Sequence, residues 1–258
     1  MKNQKGRFGD LYGKEYDTIV RLTCPHYDEF QDTVGDSVME YLMEYLLSVV
    51  RIPITRPSIM NVINVLELGA GTGETTKRIS PTGCPLIVFA VDKSREMLEI
   101  ARSNLGMVPW IPAERVQFIQ ADALEYLKDV PARTVHVFAS AYTLHNFDCA
   151  YRSMVLMELS RVLRHGALFV NADKYARDDV LQHEEDFQWQ LALTERKFDE
   201  VKRPDLKKST LEHFHLDNSG ARLMREGESK KEMARLGFRR IRTVYREKME
   251  ATVVAIRR

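Results

Sequence analysis

The segment Val62-Ile63-Asn64-Val65-Leu66-Glu67-Leu68-Gly69-Ala70-Gly71-Thr72-Gly73-Glu74 constrains the fold more than any other part of the chain. Val62, Ile63, Val65, Leu66 and Leu68 form a short apolar, β-branched run of the kind buried at the centre of a parallel sheet. The run breaks at three alternate glycines, Gly69, Gly71 and Gly73. Without a Cβ, the backbone there turns sharply and approaches a ligand closely. Thr75, Thr76, Lys77 and Arg78 carry a helix onward. Strand, glycine turn and helix in that order form a site for a nucleotide-containing ligand.

Charge narrows the choice of nucleotide. A dinucleotide turn, G-x-G-x-x-G, faces its pyrophosphate with a helix N-terminus. Counted from Gly69 and Gly71, its third glycine falls at position 74, which is Glu74. With Glu67 just before the turn, two carboxylates flank it and suit a cationic ligand without phosphate. Glu67 to Gly73 closely resembles the first motif of class I S-adenosylmethionine-dependent methyltransferases. S-adenosylmethionine has the matching chemistry: a sulfonium, an α-amino group, a ribose and no phosphate.

Later segments resemble that family in order. Leu86 to Asp92 reads as a second strand ending in an acid at ribose-binding spacing. Ser94 caps the next helix, whose Met97 and Leu98 line the adenine. Val116 to Ala123 reads as a third strand, and Asp122 stands where the family contacts the adenine amino group. Val135 to Ala141 is a fourth strand followed by Tyr142-Thr143-Leu144-His145-Asn146-Phe147, and Arg161 to Val170 resembles the family's helix end, glycine turn and fifth strand. The resemblance implies S-adenosylmethionine as cofactor, held by Glu67, Gly69, Ala70, Gly71, Asp92, Lys93, Met97, Asp122, Ala123 and Ala141. Each acid taken alone also has a structural reading. Glu67 reads as a hydrogen-bonded strand-end acid, and Asp92 and Asp122 as helix caps. Acids at successive strand ends favour one shared ligand.

The expected fold class is α/β: a doubly wound, mainly parallel seven-stranded sheet, the Rossmann-like methyltransferase fold. A helical N-terminal arm or cap (1–60) precedes the cofactor-binding core (61–173). A helical lid (174–237) is inserted before a terminal β-hairpin (238–258) that completes the sheet. In the arm, Tyr12, Tyr16 and Tyr27 lie in a polar stretch, and Val34, Val38, Leu42, Tyr45 and Val49 give 29–51 an amphipathic helical period. Arg51 to Met60, with Pro53 and Pro57, reads as a connector. In the lid, Val180, Phe187, Leu191 and Phe198 mark one face of a long helix, Leu206 to Asn218 reads as a polar stretch, and Ser229 to Leu236 as a short helix ended by Gly237. Ile241 to Tyr245 and Ala251 to Ile256 form the hairpin.

With 38 basic and 37 acidic residues the formal net charge is +1, which argues against broad electrostatic capture of nucleic acid or membrane. Arg239, Arg240, Arg242 and Arg246 read as a solvated sheet edge. Cys24, Cys84 and Cys149 are scattered, without a CxxC pair, so neither a disulfide framework nor a thiolate zinc site is expected. No signal peptide or membrane-length apolar run is read, and the expected setting is a reducing cytoplasm. A homodimer is an open option.

The arm and lid carry a narrower resemblance. Arg21 to Tyr27 and Leu206 to Glu212 are similar to the arm and lid of carboxy-S-adenosylmethionine synthases, which carboxylate the cofactor using prephenate. In that comparison Tyr27 matches a cofactor-contacting tyrosine, Lys208 stands in place of an arginine for the added carboxylate, and Ala141 in place of an asparagine. Lysine cannot reproduce a bidentate guanidinium clamp.

Methyl transfer therefore leads the functional reading, since it needs only in-line alignment of an acceptor and exclusion of water. Tyr142 and His145 are placed to orient the acceptor or take its proton, with His145 the preferred base. The competing reading of His145 is a surface or cap residue. Tyr27 and Tyr175 close over the methyl group or serve as packing aromatics. His213-Phe214-His215 and His183-Glu184-Glu185 share no spacing, and alternate histidines on a strand face apart, so no metal is expected. The sequence thus reads as a cytoplasmic methyltransferase for a small-molecule substrate. The alternatives are a carboxy-S-adenosylmethionine synthase-like enzyme linked to tRNA wobble uridine modification and a non-catalytic cofactor-binding protein.

Overall fold

A computed structural model describes residues 13–50, 62–81 and 83–258. Tyr12 and the connector Arg51 to Met60 lie outside the described residues, as does the side chain of Val49. After a short 3-10 turn come α1 (Tyr16–Thr23) and α2 (Tyr27–Val50). The core then alternates: β1 (Ile63–Leu68), α3 (Glu74–Arg78), β2 (Leu86–Asp92), α4 (Arg95–Gly106), β3 (Val116–Gln120), α5 (Ala123–Asp129), β4 (Val135–Ala141), α6 (Cys149–Val162) and β5 (Leu163–Lys174). Three helices follow, α7 (Val180–Glu200), α8 (Pro204–Asp217) and α9 (Glu226–Arg235), before β6 (Phe238–Glu247) and β7 (Glu250–Arg257).

The seven strands are ordered β3-β2-β1-β4-β5-β7-β6. All pairs are parallel except those made by β7, which runs antiparallel between β5 and β6. Strand order reverses between β1 and β4, and the crevice at their carboxyl ends is where open α/β sheets bind ligands. Every residue of β4 is buried, as expected for a strand covered on both faces. Val137, Ala139 and Ala141 of β4 face a core shared with α2 and α4, while Phe138 faces another built on α5, α6 and α9.

The α2 stripe of Phe30, Val34, Val38 and Leu42 is completely buried. Its four-residue spacing keeps one helix face on the sheet, so the arm is part of the core. In α7, Phe187 and Phe198 are buried as the period predicts, but Val180 is 62% exposed. The buried face of that helix also carries His183, Gln190 and Thr194. Leu206 to Asn218, read as a polar stretch, is mostly the helix α8, opened by Pro204 in a first-turn position that suits its missing N–H. Its inward stripe of Leu206, Thr210, His213 and Phe214 is half polar, which hides it from a hydrophobicity pattern. Arm and lid meet: Ile19 packs with Phe198 and Leu206, Gln190 Nε2 donates to Thr23 O at 2.6 Å, and Arg203 pairs with Glu15 at 2.8 Å.

Phe30→Ala should therefore cost about 3–5 kcal/mol of unfolding free energy, read by chemical denaturation. An unchanged midpoint would mean that α2 is not part of the cooperative core.

Candidate functional site

The glycine turn is fixed by the strand beside it. Gly69 N and Ala70 N both donate to Val91 O, at 2.8 and 3.1 Å. Gly69 has φ +72°, and a Cβ there would lie 2.0 Å from Thr143 Oγ1. No side chain fits, so the turn after β1 and the turn after β4 touch. Gly71, at φ +53°, is less crowded: a Cβ there would make ordinary contact with Met97 Cε at 3.8 Å and Gly69 O at 3.9 Å.

Asp92 ends β2 beneath this turn. It accepts from Gly71 N and Ser94 N, each at 2.8 Å. Each carboxylate oxygen has a second lone pair, so bracing the turn leaves acceptor capacity for a ribose. Asp122 caps α5, accepting from Leu124 N at 3.0 Å and from the Tyr151 hydroxyl. Lys93 Nζ stands 3.8 Å from its other oxygen. Ser94 caps α4 through Met97 N, and Met97 and Ala70 are buried beside the turn. Ala123 opens α5, and Ala141, which ends β4, is buried.

The two flanking acids behave differently. Glu67 is fully buried; one oxygen accepts from the Thr76 hydroxyl at 2.6 Å, and the other has no partner. Burial, with some help from Asp92, pushes its pKa up to about 8. Glu74 is paired with Lys77 at 2.5 Å, Arg78 at 3.1 Å and Arg21 at 3.3 Å. The Lys77 and Arg78 pairs lie within α3 and the Arg21 pair joins α3 to α1, so its charge is taken up by neighbouring cations rather than facing a ligand.

Beyond β4 the chain enters a strained turn, with Tyr142 at φ +48°, unusual for a bulky residue and typical of functional sites. Its hydroxyl donates to Glu250 Oε1 at 2.7 Å, and its ring stacks on Tyr27 with centroids 5.9 Å apart. Three residues on, His145 is buried. Asp173, fully buried at the end of β5, accepts from Leu144 N at 2.8 Å and His145 N at 3.3 Å, and binds the imidazole at Nδ1. The imidazole Nε2 lies 3.5 Å from Asp217 Oδ2. Burial disfavours the imidazolium, but Asp173 and Asp217 outweigh it and raise the His145 pKa. The structure thus buries His145 between two acids, where the sequence suggested an accessible base or a surface residue.

His145 also borders a partly open cavity lined by Ile19 and Thr23 of α1, Tyr142, and Thr210 and Phe214 of α8. The Thr210 hydroxyl is buried there without a partner. His213 and Lys174 reach the same space. Tyr142 therefore belongs to the wall of the site, Tyr27 stacks on it without lining the cavity, and two other expected residues do not reach the site. Tyr175 is buried in the core shared with α6 and α9, its hydroxyl accepting from Asn171 Nδ2 at 2.9 Å. It is a packing aromatic. Lys208 is 82% exposed, with its ammonium 4.0 Å from Glu212, on the outer face of α8.

Asp173, Lys174, Thr210, Asp217 and Glu250 were not singled out from the sequence. Asp217 had a usable signal: it follows His213 by four residues, which puts both on one helix face. Reading Leu206 to Asn218 as non-helical concealed it. The same error separated the histidines: on α8, His213 turns inward and is buried, while His215 is exposed against Phe187. His145, His213 and Asp217 each place one ligand-type atom within 4.8 Å of the others.

Residues 65–166 match the family model described as a methyltransferase domain. The chain is 28% identical over 114 residues to an uncharacterized methyltransferase of Geobacillus sp. (strain WCH70), covering 44% of this chain and 48% of that protein. It is 31% identical over 110 residues to one from Bacillus cytotoxicus, covering 43% and 46%. The chain thus matches about half the length of these curated relatives. Among solved structures, the DszA carbon methyltransferase superposes with TM-score 0.61 at 20% identity over 98% of this chain and 61% of its own. An S-adenosylmethionine-dependent methyltransferase from Thermotoga maritima gives TM-score 0.58 at 12% identity, over 99% and 100%. At such identities the agreement is one of fold.

Glu67 gives the site a pH signature. Its folded pKa of about 8 exceeds the ordinary 4.5, so the unfolded chain loses this proton first. The stability it contributes is complete below about 4.5 and declines as pH rises toward 8. Glu67→Gln should flatten that part of the stability profile, measured by denaturation at several pH values. An unaltered slope would show that Glu67 is ionised in the fold.

Proposed function

We propose that this chain, whose central domain belongs to the class I S-adenosylmethionine-dependent methyltransferases, moves a methyl group from S-adenosylmethionine to a small-molecule acceptor. One observation carries the reading. The glycine turn braced by Asp92 touches the Tyr142–His145 turn at Gly69, and that second turn opens onto a mainly apolar cavity. A cofactor cradle and an acceptor chamber therefore share a wall. The donor set fits the cofactor: an uncrowded Gly71, spare lone pairs on Asp92, and a buried Glu67 oxygen without a partner. When bound, S-adenosylmethionine supplies a methyl group on a good leaving group.

The protein's own residues bind, align and exclude water. Asp92 accepts from the ribose, and Met97 packs under the adenine, which Asp122 and Lys93 border. Tyr27 and Tyr142 form a stacked apolar plate. Asp173 locks the His145 imidazole so that it meets the acceptor in one orientation. Closure by α1 and α8 favours a compact acceptor over a macromolecule. No described helix is long and apolar enough to cross a membrane. Cys24, Cys84 and Cys149 are free thiols, which suits a cytoplasmic setting. Cofactor carboxylation gains no support, because Lys208 points to solvent and cannot clamp an added carboxylate.

Calorimetry tests the cofactor assignment directly. Asp92→Ala should weaken S-adenosylmethionine binding by about 1.5–3 kcal/mol, roughly 10- to 150-fold. Equal affinity would remove Asp92 from the ribose site. Acceptors are found by incubating the protein with methyl-labelled cofactor and candidate hydroxy, amino and thiol compounds. With the acceptor found, His145→Ala should lower turnover about 100-fold through lost alignment while cofactor affinity holds. An unchanged rate would exclude His145 from the reaction.

A further inference from the structure

The group behind the acceptor cavity is assembled from three distant segments. His145 follows β4, Asp173 and Lys174 end β5, and His213 and Asp217 lie one turn apart on α8. The side chains of His145, His213 and Asp217 are 6, 9 and 7% exposed. Ordinary hydrogen bonding does not account for the Asp217 carboxylate. Asp217 Oδ2 lies 3.0 Å from His213 Nε2 and 3.5 Å from His145 Nε2, yet neither carboxylate oxygen completes a hydrogen bond. A buried carboxylate left in that condition is costly.

We infer that His145, His213 and Asp217 form a binding site for a divalent first-row transition-metal ion, Zn²⁺ being the best match. Metal–nitrogen and metal–oxygen bonds of about 2.0–2.2 Å place neighbouring ligand atoms about 3–3.5 Å apart. Two of the three separations have that length, and all three ligand atoms lie within 4.8 Å of one another. His145 Nδ1 is held by Asp173, leaving Nε2 aimed at the group. Metal-bound histidines almost always carry such a carboxylate on the other ring nitrogen, which fixes the tautomer.

Two imidazoles and one carboxylate select borderline metals such as Zn²⁺ or Fe²⁺ over Mg²⁺ and Ca²⁺, which prefer oxygen. Lys174 Nζ and Arg222 Nη1 stand 3.7 and 3.9 Å from the Asp217 carboxylate, beyond hydrogen-bonding distance. They offset its charge without occupying its lone pairs, and make the site weaker than an unshielded one. The remaining coordination positions face space on both sides. On one side lies the acceptor cavity, and on the other a second cavity bordered by His145, Lys174, His183 and Asp217. An ion there would give the acceptor's oxygen or nitrogen a fixed point of attachment.

The site does not depend on the methyl-transfer reading, and its test needs no acceptor. The full chain is stripped with chelator, equilibrated with Zn²⁺, Co²⁺ or Mg²⁺, desalted, and its metal content measured. The wild type should retain close to one Zn²⁺ per chain and no Mg²⁺. Co²⁺ should produce visible absorption bands from nitrogen and oxygen coordination. His213→Ala and Asp217→Asn should each lose most of the bound Zn²⁺ and the Co²⁺ bands, whereas His215→Ala, an exposed histidine on the same helix, should keep both. Circular dichroism and S-adenosylmethionine affinity confirm that each variant is folded. Substoichiometric Zn²⁺ in the wild type would overturn the inference, as would equal retention by folded His213→Ala and Asp217→Asn proteins. Loss of metal with normal cofactor binding would leave both readings standing separately.

Discussion

Asp173 is the constraint on which the site depends. It is a fully buried carboxylate at the end of an interior strand, and such a group persists only when its lone pairs are used. Here they are taken by the Leu144 and His145 amides, the His145 ring and the Lys174 amide, with Asn171 Nδ2 adding a longer contact at 3.3 Å. One side chain of β5 thereby shapes the whole turn that follows β4. That turn in turn abuts Gly69, so the position of the cofactor cradle is referred to the same carboxylate. Loss of Asp173 would leave the amides and the imidazole without an acceptor in a closed interior, a heavier penalty than the loss of one contact.

The two halves of the site come from different parts of the chain and obey different physics. The cradle is mostly backbone: strand ends, a glycine turn and capping acids, all between 67 and 123. The chamber beside it is made of side chains from α1, the β4 and β5 ends, and α8, with Glu250 from the start of β7. Its interior holds several ionisable groups whose mutual attraction offsets burial. Such networks contribute little net stability and fail badly when one member is removed. The arm is held to this region by the Arg21–Glu74 ion pair and by the contact of Ile19 with the lid, so neither side of the chamber closes alone.

Much of the sheet was legible because interior parallel strands are short, continuous apolar runs broken by glycine or acid. β1, β2 and β4 begin and end within a residue or so of where the sequence puts them. Glu74 pointed away from a dinucleotide correctly, but for a reason the sequence could not show, since its three cationic partners are brought in partly from the arm. α8 escaped because its buried face contains Thr210 and His213 beside Leu206 and Phe214, so polarity does not mark its outside. Asp173 looked like a domain edge, since nothing in the linear order connects it with a turn 28 residues earlier. Lys208 failed by geometry: four residues from Glu212 on an outward helix face, it meets solvent whatever its neighbours resemble.

The direction of β7 has a consequence for how such an enzyme diversifies. Because the strand runs against β5, its first residue, Glu250, pairs with Lys174 at the carboxyl end of the sheet. The turn that precedes it, Lys248-Met249, therefore lies at the chemical end of the molecule, and Met249 borders the inner cavity. Hairpin turns accept substitution and insertion more readily than the strands they join. A two-residue loop can thus reshape that cavity, which shares His145, Lys174 and Phe214 with the chamber beside it, while the glycine turn and its bracing acids stay untouched. On the proposed function, evolution is offered a dial for the acceptor side that is mechanically separate from cofactor recognition.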